Sequence, residues 1–308
     1  MSAARRAWLI DASIYIFRAW FSLPDRWHTD DGYPLNAVYG YTKFLLDFLE
    51  SSPDTHAAGD LVAAAFDESL GSNYRNDIYP DYKSSRVLPD EDLAFQLQAC
   101  RDVTATLGVK TYGCSRYEAD DYLATLARLC ARRDISVTVV TRDKDLGQII
   151  ARDGDRWWDF AAETLLDANG FEQRFGVRPG QFADYLALVG DPVDDIPGVP
   201  GVGARTAAAL LGEFGNLGEL GRRLHEVGAL GIRGAGKLQE RLAQHWEQVL
   251  LARRLTGLQD RVPGVRTPGA WRVSSAQLED TAKFLEQLGL QGLLPRRCRA
   301  LLQGNPGA

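Results

Sequence analysis

Histidine and cysteine are scarce in this chain, and long apolar runs are missing altogether. Its 308 residues include four histidines, at 28, 56, 225 and 245, too scattered to suggest a histidine-based zinc site. The four cysteines, Cys100, Cys114, Cys130 and Cys298, show neither C-x-x-C spacing nor a metal-ligand rhythm, so buried free thiols are expected. No apolar run approaches the roughly 20 residues that cross a bilayer, and no membrane association is expected. The opening MSAARRAWLIDAS meets Asp11 too soon to build the apolar stretch of a signal peptide, so a cytoplasmic location is expected. A basic excess is lacking too. The net charge of −6 speaks against the usual footprint of a phosphate binder, but a whole-chain sum hides acids gathered in one metal site.

What is present reads as an ordinary globular chain, long enough for one large domain or two linked ones. Short apolar runs at residues 8–10, 61–66, 109–112 and 137–141 predict strands. Between them, residues 36–50, 91–107 and 117–132 carry helical spacing. This alternation predicts a mostly parallel sheet flanked by helices, with its site at the carboxyl ends of the strands. Beyond about residue 170, helical segments at 179–189, 204–211 and 238–255 alternate with glycine-rich turns. The boundaries are set at 1–170 for an α/β core and 171–308 for a helical region. The closing QGNPGA is expected to fray.

The acids fall into place on that scheme. Asp11, Asp67 and the pair Asp143 and Asp145 each follow a predicted strand, at one edge of the sheet. YEADDYLATLA adds Glu118, Asp120 and Asp121 at a helix start, and GDPVDD supplies Asp191, Asp194 and Asp195. Any one of them taken alone reads as an N-cap, a turn residue or a complement to a helix dipole. Together they would repel one another severely without cations between them. Oxygen-only ligation suits Mg²⁺ or Mn²⁺, and two such ions support phosphodiester hydrolysis.

Two further segments suit a nucleic-acid partner. NYRNDIYPDYKSSR interleaves Arg75, Lys83 and Arg86 with Tyr74, Tyr79 and Tyr82, as phosphate contact and base stacking on a single-stranded end require. DIPGVPGVGARTAAALL places Gly198, Gly201 and Gly203 in a tight turn before a helix, with Arg205 beside it. That arrangement holds a phosphate backbone without reading bases. Arg222, Arg223, Arg233 and Lys237 add positive charge in the same region.

The blocks LIDAS, AAFD, YRNDIYPDYKSSR, EADDYLATLA, TRDKDLGQI and LALVGDPVDDIPGVPGVGARTA resemble, in order over about residues 7 to 212, the 5′-nuclease family. That family includes the N-terminal domain of bacterial DNA polymerase I, stand-alone exonucleases and flap endonucleases. The resemblance implies a PIN-like α/β core with a helical arch, then a helical domain with a helix-hairpin-helix-like clamp. It implies Asp11, Asp67, Glu118 and Asp120 as ligands of one metal, and Asp143, Asp145, Asp191 and Asp194 as ligands of a second. Asp121 belongs to the same acidic set in an indirect role. Arg75, Tyr82, Lys83 and Arg86 match the arch segment that meets the 5′ strand and the scissile phosphate. The clamp's carbonyls at Gly198, Val199, Gly201 and Val202 would hold a potassium ion.

The implied activity is structure-specific 5′→3′ exonuclease and flap endonuclease action on DNA with 5′ ends, flaps or nicks, by a monomer. The balance between the two activities is left open. Arg142 stands where the family often has glycine, and Asp195 where it often has asparagine. The sequence carries no polymerase domain, so a polymerase partner is expected in trans. A non-cleaving module for branched DNA and a PIN-type RNA nuclease are the alternatives. An aspartyl phosphatase would need an acid where Ser13 stands.

Overall fold

The computed structural model describes residues 5–50, 60–68 and 73–303. From 304 onward the tail expected to fray lies outside these residues. The elements are β1 (Arg6–Asp11), α1 (Ala12–Ser22), α2 (Asn36–Glu50), β2 (Leu61–Ala65), α3 (Tyr74–Ile78), α4 (Glu91–Thr106), β3 (Lys110–Tyr112), α5 (Ala119–Ala131), β4 (Ser136–Val140), β5 (Arg156–Asp159) and β6 (Thr164–Leu166). There follow α6 (Ala168–Phe175), α7 (Phe182–Val189), β7 (Gly190–Asp191), β8 (Ile196–Pro197), α8 (Ala204–Phe214), α9 (Leu217–Arg222), α10 (Ala235–Gln244), α11 (Trp246–Thr256), α12 (Ser275–Gln287) and α13 (Leu293–Gln303).

The main sheet runs β3-β2-β1-β4-β5-β6, parallel except for β6. Its central strands are buried on both faces, which explains their unbroken apolar runs. Side chains still alternate. Ala7 and Leu9 join Leu61, Ala63, Val137 and Val139 on one face, with α5, α7 and α8. Trp8 and Ile10 join Val62, Ala64 and Val140 on the other, with α2 and α4. The chain moves outward one way from β1 through β2 to β3 and the other way through β4 to β5. The order therefore reverses between β1 and β4, and the crevice at their carboxyl ends is where such sheets bind ligands.

Several elements were not legible as expected. The stretch 238–255 divides at His245 into α10 and α11. Buried Leu238, Leu242, Val249 and Ala252 continue one helical spacing across the break, so periodicity could not show it. β5 and β6 are short, and the β7–β8 ladder has two residues per strand. The last two helices leave the helical region: Leu278, Ala282, Leu285, Leu294 and Cys298 join the face that holds α2 and α4. Arg297 fastens α13 to α2 through Asp47 at 2.9 Å and Glu50 at 2.7 Å. Of the four free cysteines, Cys114 is only partly buried. No helix among the described residues is long and apolar enough to cross a membrane.

Candidate active site

Asp11 ends β1 and caps α1, accepting from the Ile14 N–H at 3.4 Å and from the Thr141 hydroxyl at 2.7 Å. Asp67 follows β2. Its Oδ1 accepts from the Ala119 N–H at 2.8 Å, tying it to the start of α5, and its own N–H donates to Ser13 Oγ at 2.8 Å. Asp143 lies past β4. Its N–H donates to Thr141 Oγ1 at 2.9 Å, and its Oδ1 accepts from the Asp145 N–H at 2.9 Å. One buried hydroxyl, that of Thr141, thus joins the Asp11 and Asp143 loops. Neither Ser13 nor Thr141 stands among the candidate site residues read from the sequence, although each sits inside a quoted block.

Burial and mutual repulsion set the electrostatics. Burial, then the charge of Asp67, pushes Asp11 up to about 7. Burial, then Asp143, does the same to Asp145. Asp120, in the first turn of α5, is raised by burial and by Asp143, Asp11 and Asp67 together. Asp67 and Asp143 are raised chiefly by burial, with Glu118 and Asp194 adding respectively. Asp11, Asp67, Asp120 and Asp143 therefore lie close enough to feel one another's charge. Their mutual strain is the kind that a bound hard cation relieves.

Glu118 behaves oppositely. Burial alone would raise it, but Lys83 and Arg75 outweigh burial and hold it low. Its Oε1 accepts from Lys83 Nζ at 2.5 Å and Asn73 Nδ2 at 3.2 Å, and its Oε2 from Arg75 Nη1 at 2.8 Å and the Tyr82 hydroxyl at 3.0 Å. Asp194 accepts from Arg86 at 2.7 Å and Tyr82 at 3.2 Å, with Lys83 at 3.5 Å. Asp145 and Asp191 flank Lys144 at 3.2 and 3.8 Å. Among the described residues no three His, Cys, Asp or Glu side chains form a group that could hold a metal ion as they stand.

Arg75 touches the crevice only through Glu118, and its remaining bonds run to Asp121 and the end of α11. Arg75 is 2% exposed and bonds both oxygens of fully buried Asp121, at 2.9 and 2.8 Å. It also donates to the Leu255 and Gly257 carbonyls at 2.9 and 3.1 Å, at the end of α11. A guanidinium so enclosed joins α3, α5 and α11 and is not free to touch a 5′ strand. Asp121 is consumed by it and is not a ligand in this arrangement.

The segment expected to form an arch consists, over residues 73–90, of α3 and a run of turns. It is fastened to the 191–195 turn. Lys83, at φ 54, donates its N–H to the Asp194 carbonyl at 3.1 Å, and the Ser85 N–H donates to Asp195 Oδ2 at 2.9 Å. Below it opens a cavity of about 870 Å³ lined by Phe17, Trp20, Phe21, Val87 and Leu88 beside Asp67, Lys83 and Arg86. The aromatic wall comes from α1, a helix the sequence pattern had not declared. Arg142 turns to Asp159 at 3.3 Å.

At the hairpin, Gly198 and Gly190 bring two backbones together so closely that a Cβ on either would collide. Gly201 has φ 75, a conformation that favours glycine. Gly203 caps α8 without a side-chain bond, leaving first-turn N–H groups open beside exposed Arg205. The potassium set implied by the resemblance is partly spent. The Gly198 carbonyl accepts from Gln248 at 3.0 Å and the Val199 carbonyl from the Val202 N–H at 2.9 Å. Of the surrounding cations, Arg222 pairs with Glu219 and Arg223 with Glu226, so their charge is offset locally.

Residues 6–176 match the family model described as "5'-3' exonuclease, N-terminal resolvase-like domain", and residues 177–279 match "5'-3' exonuclease, C-terminal SAM fold". Among curated proteins, DNA polymerase I of Mycobacterium leprae is 32% identical over 95% of this chain and 31% of its own length. DNA polymerase I of Pseudomonas aeruginosa is 37% identical over 82% and 27%. The chain thus spans about a third of the length of these relatives. Among solved structures, a zinc-bound T5 5′-exonuclease aligns with TM-score 0.63 at 19% identity, covering 97% of this chain and 99% of that one. The catalytic core of Rad2 bound to DNA aligns with TM-score 0.64 at 15% identity, over 98% and 93%. Both show the same fold.

Proposed function

The chain belongs to the 5′-3′ exonuclease family, and on that premise we propose that it is a structure-specific 5′→3′ exonuclease and flap endonuclease acting on DNA. The observation that carries this is the convergence of Asp11, Asp67, Asp120 and Asp143 at the switch point of the sheet, each raised by burial and by its acidic neighbours. The oxygen-only donors suit two Mg²⁺ or Mn²⁺ ions, which would draw them into the groups of three or more that they do not form as they stand. Asp11, Asp67, Asp120 and, once released by Lys83, Glu118 would hold one. Asp143, Asp145, Asp191 and Asp194 would hold the other. When bound, such ions activate water and stabilise the leaving oxygen.

The chain's own groups supply the rest. Lys83 and Arg86 now neutralise Glu118 and Asp194, and both reach the crevice where a scissile phosphate would lie. On substrate arrival they exchange carboxylate for phosphate and stabilise its developing charge. The Tyr82 hydroxyl shares its one proton between Glu118 and Asp194 and bridges them as the lysine leaves. Phe17, Trp20 and Phe21 offer stacking faces to bases of a 5′ single strand. The Gly198–Gly203 hairpin and Arg205 grip the duplex backbone without reading sequence. The division near residue 170 into nuclease core and clamp belongs to this proposal, and the change from sheet to helices there supports it. The curated relatives carry the matching region within a polymerase, which supports a polymerase as functional partner.

Asp143→Ala tests the assignment. Cleavage of a flap duplex is expected to vanish while duplex affinity survives. Undiminished cleavage would remove the carboxylate edge from the chemistry.

A further inference from the structure

The hairpin carries its own cation. Arg241, on α10, donates from Nη1 to the Pro200 carbonyl at 2.9 Å and from Nε to the Lys237 carbonyl, one turn back on its own helix, at 3.2 Å. The second bond fixes the plane of the guanidinium, and the first seats it on the turn. Gly201 is part of the same fit. Its φ of 75 already favours glycine, and a Cβ there would collide with Arg241 Nη1. The turn is thus closed around a guanidinium, with Gln248 of α11 donating to Gly198 from another helix.

Three of the five guanidinium N–H groups, one on Nη1 and both on Nη2, have no partner among the described residues. No carboxylate pairs with Arg241 there either. Arg222 and Arg223, by contrast, are offset by glutamates on their own segments. The open edge of Arg241 has the planar, two-pronged geometry that phosphate oxygens accept. Of the four carbonyls that the resemblance implied for a free monovalent ion, those of Gly198 and Val199 already accept a bond, and the Pro200 carbonyl between them and Gly201 is taken by Arg241 itself. A second cation at this turn would lie against the guanidinium.

We propose that Arg241 is the resident cation of the hairpin and binds a backbone phosphodiester of duplex DNA where the resemblance implied a potassium ion. This rests on the duplex-clamp role proposed above and makes binding indifferent to the identity of the monovalent cation. The test is fluorescence anisotropy with a labelled 5′-flap duplex in EDTA, in potassium and in tetramethylammonium salts at equal ionic strength. The intact protein is expected to bind equally in both, within about twofold. Arg241→Met, which keeps the packing stem, is expected to weaken binding about tenfold in both salts and to lower the salt slope by about one. Arg241→Lys, retaining the charge without the fork, should recover part of the loss.

Affinity several-fold tighter in potassium than in tetramethylammonium for the intact protein would overturn the inference. So would Arg241→Met binding as the intact protein does, and in that case the clamp role would stand without Arg241. Failure of the intact protein to bind the duplex in either salt would overturn the clamp role and this inference together.

Discussion

Thr141 serves two carboxylate loops with one hydroxyl, donating to Asp11 and accepting from the Asp143 N–H. In metal sites such supporting bonds are commonly worth about 10–100-fold in metal affinity or activity. Thr141→Val keeps the shape and removes both bonds. Its apparent Mg²⁺ affinity in cleavage is expected to fall by about that factor, with partial rescue at high Mg²⁺. A metal titration coinciding with that of the native protein would assign Thr141 to packing alone. Arg75 teaches a different lesson at this scale. In the sequence it lies among polar and aromatic residues that suit a strand-binding segment, and nothing local distinguishes it from Arg86. Its partners Asp121, Leu255 and Gly257 are 46 or more residues away, so only the fold shows that it is enclosed.

At the scale of elements, β1, β2 and β4 were legible because a strand buried on both faces reads as an unbroken apolar run. Their terminal aspartates were legible with them, and so were most of the acids at the crevice. β5 was not, since RWWD is four residues with one apolar side chain fully buried, Trp157. The interval from α3 to α4 shows how elements are joined by single bonds. Its turn is held to the 191–195 loop by Lys83, Arg86 and the Ser85 bond to Asp195. Asp195→Asn retains an acceptor, whereas Asp195→Ala does not. Trypsin is therefore expected to cut after Lys83 or Arg86 several-fold faster in Asp195→Ala than in Asp195→Asn or the native protein. Equal rates in all three would show that Asp195 does not hold this segment.

For the whole molecule, the net charge of −6 stops being an objection once the acids are located. Gathering buried Asp11 with half-buried Asp67, Asp120 and Asp143 costs stability that the surrounding core must offset. Divalent ions bind the folded state, so millimolar Mg²⁺ or Mn²⁺ is expected to raise Tm; at 100 times Kd the linkage is about 2.7 kcal/mol. Asp143→Asn removes one repelling charge, and without metal it is expected to melt higher than the native protein while gaining less from Mg²⁺. A native Tm indifferent to divalent ions would mean that the crevice does not bind them. The return of α12 and α13 to the core was beyond reach of pattern reading. Their apolar stripe says only that one face is covered, and it is Asp47 and Glu50 on distant α2 that receive Arg297.

The most direct measurement is cleavage of a 5′-labelled flap duplex in Mg²⁺, Mn²⁺ or EDTA, beside a matched single strand and a matched RNA. Metal-dependent cutting near the flap junction, abolished by EDTA and weaker on RNA, is the predicted result. Tight duplex binding with no cutting under any metal would contradict it and leave a protein that recognises branched DNA without hydrolysing it.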